Sequence, residues 1–103
     1  MVPREQTKGY DVDYLANEWA LGVGRALRAR RVTKGLTQTE VAEDVGVTRQ
    51  AISLLERGRA FSMSAFIEVC LVLSVDPSSI WSQAKKILRE QASVQVDDQV
   101  DAA

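Results

Sequence analysis

The chain has 103 residues, 46% of them hydrophobic, and a formal net charge of −1. It contains no His and one Cys, which excludes His-based general-base chemistry, His-ligated zinc, and a disulfide framework or iron–sulfur cluster within one chain. No apolar run reaches membrane-spanning length, and residues 1–10 lack the apolar core of a signal peptide, so we expect one folded domain in a reducing, cytoplasmic setting. Because a Gly-rich phosphate loop is also missing, we expect no enzyme, no metal, no cofactor and no membrane partner.

The N-terminal third is predicted to hold a flexible arm and a long first helix. A proline, a glycine and many polar residues argue against a helix over 1–12. The helix is expected at about 14–34, either continuous or broken near Gly22, because Gly22 and Gly24 each cost about 1 kcal/mol relative to Ala. Its predicted apolar face consists of Tyr14, Leu15, Trp19, Leu21, Leu27 and Val32.

Two short helices are predicted next, over 37–58. Thr37 and Glu40 have the spacing of a capping box that starts the first of them, and Gly46 ends it. Thr48 caps the second, over 48–58, whose buried side is predicted to be Ile52 and Leu55. Two short helices joined by a turn with a glycine have the layout of a helix-turn-helix motif.

The remaining elements are two helices and a tail. Ser62 caps a helix whose core-facing residues are Phe66, Val69, Cys70 and Leu73. Asp76 and Pro77 start a last helix over 76–91, and residues 92–103 are predicted to be an acidic, disordered tail. Since no stretch shows strand alternation, the predicted fold is all-α, with residues 13–91 as its folded domain.

The charges are unevenly distributed along the chain. Residues 21–59 hold eight basic and four acidic side chains, whereas the segments on both sides carry a net negative charge. This distribution favours one basic face, which is either a solvated helical surface or a binding site for a polyanion.

Residues 31–59 closely resemble the Cro/cI-type (XRE-family) helix-turn-helix proteins, which include phage immunity repressors, bacterial regulators and antitoxins. The matching motifs, all at the family's spacing, are Leu-Thr-Gln at 36–38, Val-Ala at 41–42, Val-Gly-Val-Thr at 45–48, Ile-Ser at 52–53 and Glu-Arg-Gly at 56–58. The resemblance extends loosely over 21–75. It implies a compact, lambda repressor-like bundle of about five helices that binds double-stranded DNA, often as a two-fold dimer.

By this resemblance, residues 48–58 form the recognition helix, and its base-reading residues are Arg49, Gln50, Ser53 and Leu54. Arg49 can donate two hydrogen bonds to guanine and Gln50 can pair with adenine. Leu54 departs from the polar residue common at its position, and either contacts a thymine methyl group or packs inward. Contacts to DNA phosphates are expected from Thr37, Gln38, Thr48, Arg57, Arg59, Lys34 and Arg28.

The resemblance also implies a structural role for Arg31 and Glu56, which form a partly buried ion pair between helices in the family. The apolar stripe of the last helix has two uses that the sequence leaves open. It either closes the core of its own subunit or serves as a dimer contact, weak in free protein and strengthened on DNA. The residues of that stripe are Ile80, Trp81, Ala84, Ile87 and Leu88.

The leading hypothesis for function is a sequence-specific transcriptional regulator, a repressor of the phage-immunity kind, that blocks polymerase at a promoter in the bacterial cytoplasm and nucleoid. A second hypothesis is an antitoxin that autoregulates its operon and holds a protein partner through the arm 1–12 or the tail 92–103. A third is an adaptor that binds proteins without DNA, against which the basic middle segment and the Arg49–Gln50 pair argue.

Overall fold

The computed structural model describes the backbone of residues 12–102 and the side chains of residues 12–90. The backbone forms five helices: α1 (Val12–Thr33), α2 (Gln38–Val45), α3 (Arg49–Glu56), α4 (Met63–Leu73) and α5 (Pro77–Ala102). Residues 12–102 contain no strand, which confirms the prediction of an all-α helix-turn-helix bundle. Except for Val12, which begins α1, the predicted N-terminal arm lies outside the described residues.

The core is one cluster to which every helix contributes. Its fully or nearly buried apolar members are Val23, Ala26, Leu27, Val41, Ala42, Ile52, Leu55, Phe66, Val69, Cys70, Leu73, Ile80 and Ala84. Burying a Leu, Ile, Val or Phe side chain contributes about 1.5–3 kcal/mol, so this cluster is the main source of stability. Burial, with a smaller effect of Asp76, raises the pKa of the Cys70 thiol to about 11, and a neutral, buried thiol is a packing residue rather than a redox centre.

Helix α1 is continuous through its two glycines, so the first of the two predicted alternatives forms. Part of its predicted apolar face is wrong, because Tyr14, Leu15 and Val32 are exposed by 52%, 44% and 57%. The buried face of α1 is set by Val23, Ala26 and Leu27. Val32 lies five residues beyond Leu27, which places it about 140° away around a helix of 3.6 residues per turn, on the solvent side.

The short helices begin as the sequence predicts. The Thr37 hydroxyl accepts a hydrogen bond from the Glu40 N–H at 3.0 Å, and the Thr37 N–H donates to a Glu40 carboxylate oxygen at 3.1 Å, which completes the capping box. The Thr48 hydroxyl accepts from the Ala51 N–H at 3.1 Å. Gly46 ends α2 with a φ of 88°, a left-handed conformation that glycine adopts without a steric penalty. These caps fix the entry points of α2 and α3.

The last helix starts as predicted but ends later. The Asp76 carboxylate accepts hydrogen bonds from the N–H and the hydroxyl of Ser78, and these bonds lower the pKa of Asp76. The backbone stays helical to Ala102, which corrects the predicted end near Gln91 and runs through the segment predicted to be a disordered tail. Residues 78–102 contain neither Gly nor Pro to interrupt the helix.

The apolar stripe of α5 was predicted either to close the core of its own chain or to form a dimer contact, and its residues differ in which of these they can do. Ile80 and Ala84 are fully buried in the core of their own chain, so a dimer contact through these two residues is ruled out. Trp81 stacks on Trp19 of α1, with ring centroids 5.0 Å apart, and meets Phe66 of α4 edge-on at 5.9 Å. This aromatic cluster fastens the start of α5 to the rest of the bundle.

No single helix among the described residues is long and apolar enough to cross a membrane. Only α4 and the first part of α5 taken together reach that length and composition, and they are bent by 109° where they meet. Both helices supply buried residues to the core cluster.

Helix α1 and the end of α3 approach so closely that only glycine fits between them. A Cβ at Gly24 would overlap the carbonyl oxygens of Leu55 and Glu56, because it would lie only 2.5 Å from the Leu55 oxygen. On the other side, a Cβ at Gly58 would lie 2.6 Å from the Leu21 Cα, and Gly58 has a φ of 72°. The recognition segment is therefore seated directly on the backbone of α1.

A buried ion pair crosses the same contact. The Arg31 Nε donates to a Glu56 carboxylate oxygen at 2.6 Å, and its Nη2 donates to the other oxygen at 3.1 Å. The third guanidinium nitrogen, Nη1, donates to the Leu36 carbonyl at 2.7 Å. Because Glu56 is only 6% exposed and a guanidinium fork matches a carboxylate in two places, this pair fixes α3 relative to α1.

We expect Gly24→Ala to lower the free energy of unfolding. Overpacking against backbone atoms should cost toward the upper end of about 1–3 kcal/mol, which exceeds the roughly 1 kcal/mol that Ala gains in helix propensity. Gly22→Ala is the matched control, because it lies on the same helix and its Cβ would come no closer than 3.3 Å, to the Ala84 carbonyl oxygen of α5, which is a tight contact but not an overlap. Urea unfolding should give Gly24→Ala the lower midpoint; equal midpoints would contradict the close approach.

We expect Glu56→Ala to destabilise the fold by about 3–5 kcal/mol, because it leaves the Arg31 guanidinium buried without its counter-charge. Glu56→Gln preserves the shape and one acceptor oxygen, so its loss should be smaller. Urea unfolding measures both variants. A Glu56→Ala protein that unfolds like the wild type, yet loses base discrimination on DNA, would show that Glu56 has no structural role.

Candidate nucleic-acid interface

Helix α3 has one side anchored in the core and one side open to solvent. Ile52, Leu55 and Glu56 are buried, whereas Arg49 and Gln50 are exposed at the N-terminal end of the helix. Gln50 lies about 160° around the helix from Ile52 and points away from the core, whereas Arg49, only about 60° from Ile52, is exposed at the first position of the helix. Two of the predicted base-reading residues therefore lie on an accessible edge.

The other two predicted base-reading residues are less accessible. Ser53 and Leu54 are both half-buried. Ser53 lies one turn after Arg49 and Gln50 on the same side of α3, so its hydroxyl stays within reach of a ligand at that edge. Leu54 lies about 160° around the helix from Ile52, yet its side chain is half-buried, so its exposure is intermediate between the two roles that the sequence left open.

A chain of hydrogen bonds leads from the buried ion pair to the exposed edge. The Gln38 Nε2 donates to Glu56 at 3.1 Å, and the Gln38 Oε1 accepts from the Arg49 Nη1 at 3.2 Å. An ionised carboxylate only accepts hydrogen bonds, so Glu56 selects the NH₂ end of the Gln38 amide and turns the carbonyl oxygen toward Arg49. The guanidinium of Arg49 is thereby held in place by a contact that begins inside the core.

This contact also offsets an electrostatic cost. A cation in the first turn of a helix opposes the helix dipole, typically by 0.3–1 kcal/mol. Arg49 occupies that position in α3, and the Gln38 oxygen, which carries a partial negative charge, faces its guanidinium. The sequence indicated each of the two residues as a DNA contact, but only the tertiary structure brings them together.

The two capping threonines remain able to bind an anion. Thr37 and Thr48 are exposed, and each hydroxyl oxygen accepts a hydrogen bond from a backbone N–H of its own helix. A hydroxyl group has one donor in addition to its two lone pairs. Each threonine can therefore cap its helix and donate to a phosphate oxygen at the same time.

An open groove of about 490 Å³ lies between α1 and the C-terminal half of α3. It brings together five residues that the sequence predicted as DNA contacts: Arg28, Gln38, Ser53, Arg57 and Arg59. The groove also includes Arg25, which the sequence analysis did not select as a site residue. Its position three residues before Arg28, and so on the same side of α1, is the signal that could have identified it.

Other predicted site residues lie away from this groove. Lys34 is exposed in the turn after α1 and does not line it. Trp81 belongs to the aromatic cluster, and Ile87 and Leu88 are half-buried on α5. Among the described residues, no group of three His, Cys, Asp or Glu side chains could hold a metal ion.

The chain matches known proteins over this part of the fold. The family model described as helix-turn-helix matches residues 27–80, more than half of the chain. An uncharacterized HTH-type transcriptional regulator of Methanothermobacter thermautotrophicus is 61% identical over 33 residues, or 32% of this chain. Those residues are 48% of that protein, so the chain spans about half the length of this curated relative.

Solved structures give longer matches. A crystal structure of the clp gene regulator ClgR from Corynebacterium glutamicum has a TM-score of 0.74 and 31% identity, covering 80% of this chain and 88% of ClgR. A second crystal structure of ClgR has a TM-score of 0.64 and 33% identity, covering 66% and 90%. The five helices, the motif in α2 and α3, and these matches lead to one conclusion: the chain belongs to the helix-turn-helix family and is of the XRE type.

Proposed function

We propose that this chain is a transcriptional regulator that binds double-stranded DNA and reads the major groove with α3. The observation that carries the proposal is the exposed edge formed by Arg49 and Gln50 on a helix that Ile52 and Leu55 anchor in the core. An α-helix fits the major groove of B-DNA, where each base pair presents a distinct pattern of donors and acceptors. The helix-turn-helix match and the regulators among the similar proteins support the same role.

The residues at the edge have complementary chemistry for two bases. Arg49 uses one nitrogen for Gln38 and has further N–H groups to donate to guanine O6 and N7. Gln50 both donates and accepts, as the N6 and N7 atoms of adenine require. Ser53 is proposed to contact a base or a phosphate, and Leu54 to contact a thymine methyl group with the exposed part of its side chain.

A second set of residues would position the protein on the duplex without reading its sequence. The helix starts at Thr37 and Thr48 present N–H groups and hydroxyls, which attract phosphates. Gln38 retains one amide hydrogen beyond the one it gives to Glu56. The proposed cationic phosphate contacts are Arg28, Lys34, Arg57 and Arg59.

We propose that bound protein represses transcription by occluding polymerase at a promoter, in the manner of a phage immunity repressor, at the bacterial nucleoid. Occlusion requires only tight binding at the correct sequence, and two recognition helices on one duplex require a dimer. The proposed dimer contact consists of Trp81, Ile87 and Leu88, which retain exposed surface, and it is weak without DNA. No contact among the described residues favours the antitoxin or the adaptor hypothesis, so we propose the regulator alone.

Selection of bound duplexes from a random pool tests the proposal. We expect enrichment of a palindromic sequence with half-sites about 10 base pairs, or a multiple of that, from centre to centre. Failure to enrich any sequence would overturn sequence-specific binding. Enrichment of a single half-site, bound by one protomer, would overturn the dimer and leave the base reading intact.

Arg49→Ala is expected to weaken discrimination at one base pair of the selected sequence by about 1–3 kcal/mol, or roughly 5- to 150-fold, because one bidentate contact is lost. The measurement is the ratio of dissociation constants for the selected duplex and for duplexes with that base pair exchanged. Arg89→Ala serves as a control, since Arg89 is exposed on α5 outside the interface. An Arg49→Ala protein with an unchanged preference at every base pair would show that Arg49 does not read bases.

A further inference from the structure

The groove between α1 and α3 concentrates positive charge that the described residues leave unneutralised. Its walls carry Arg25 and Arg28 from α1, and Arg57 and Arg59 from the end of α3 and the turn after it. The one carboxylate in the lining belongs to Glu56, and it is already bonded to Arg31 and Gln38. Four guanidinium groups thus face one open depression with no local counter-charge.

Within residues 12–90, these arginines have almost no partners of their own. Arg57 donates to the Ser53 carbonyl at 3.4 Å, whereas Arg25, Arg28 and Arg59 form neither a hydrogen bond nor an ion pair there. By contrast, Arg30 and Arg31, farther along α1, are held by side chains of α5 and α3. The fold therefore uses Arg30 and Arg31 for structure and leaves Arg25 and Arg28 available.

The outward face of α1 is also sterically open. Arg25 and Arg28 line a second depression of about 460 Å³, together with Ala29 and Val32, so the two side chains form a ridge with space on both sides. Because no described element packs on this ridge, a ligand can reach both guanidinium groups while α3 occupies a neighbouring position on the same ligand.

We propose that this groove binds the sugar–phosphate backbone of the duplex, and that Arg25 and Arg28 make α1 a DNA-contacting element. The inference rests on the proposed function and extends it. Gln38 and Ser53 lie beside the exposed edge formed by Arg49 and Gln50, and they line the same groove as the four arginines. A DNA backbone that passes this edge therefore continues into the groove between α3 and α1. The phosphates that Arg25 and Arg28 contact then lie outside the base pairs that α3 reads.

Salt dependence tests the proposal on the full chain, with the selected duplex and a random duplex as probes. Each phosphate contact contributes about 0.9 to the slope of log affinity against log salt concentration. The Arg25→Gln, Arg28→Gln double variant should therefore lose about 1.8 from that slope, so the affinity ratio of wild type to variant shrinks about 12-fold between 50 and 200 mM salt. Its preference for the selected sequence over the random one should not change.

The matched control is the Lys86→Gln, Arg89→Gln double variant. It also removes two positive charges, from exposed positions on α5 outside the groove, and its slope should stay at the wild-type value. Equal slopes for all three proteins, or an equal loss of slope in both variants, would contradict the proposal that the groove binds the DNA backbone. Urea midpoints equal to that of the wild type establish that neither variant acts through folding.

Ethylation of single phosphates locates the contact. Ethylated positions that block wild-type binding, but no longer affect the Arg25→Gln, Arg28→Gln variant, should lie beyond the base pairs at which Arg49→Ala changes the preference. If the wild type shows no sequence preference while the variant still loses slope, sequence reading by α3 is contradicted and backbone binding in the groove is supported. If the wild type discriminates between sequences and the variant's slope does not change, backbone binding in the groove is contradicted and the proposed function is retained.

Discussion

The contact between α1 and the end of α3 determines where the recognition helix points. Gly24 lets the two backbones meet, and the ion pair between Arg31 and Glu56 fixes their relative orientation. Both features act at one place, and neither tolerates a larger or uncharged replacement without loss of packing or of a buried counter-charge. A helix of eight residues gains little stability by itself, so α3 depends on this contact for its position.

The same ion pair extends its influence to the surface. Glu56 orients the amide of Gln38, and Gln38 in turn orients Arg49. A guanidinium held in one geometry before binding loses less conformational entropy when it meets a base than a free one does. The buried charge therefore has a cost in desolvation, and in return it organises a side chain at the edge where bases would be read.

The electrostatic character of the protein is local. With a net charge of −1, the chain as a whole offers no attraction to a polyanion. The groove nevertheless gathers four arginines around one bonded carboxylate, and at physiological ionic strength charges act over about 8 Å. A duplex at the groove is thus attracted by these four arginines although the chain as a whole carries a slight negative charge, which makes charge placement more informative than charge total.

The helix starts, the motif in α2 and α3 and the buried side of α3 could be predicted from the sequence, because caps, glycine stops and the helical period are local signals. The pairing of Arg31 with Glu56 followed only from the family resemblance, since the two residues lie 25 positions apart. The sequence failed where the answer depends on what packs nearby. Tyr14, Leu15 and Val32 are apolar enough for a core, but in the described part of the chain about half of each residue stays exposed. Helix packing, by contrast, set the burial of Ile80 and Ala84 in their own core, the bridge from Glu56 through Gln38 to Arg49, and the position of Arg25 in the groove with Arg57 and Arg59. Such relations join residues far apart in the chain, and their distances are fixed by the packing of helices, which no local pattern encodes.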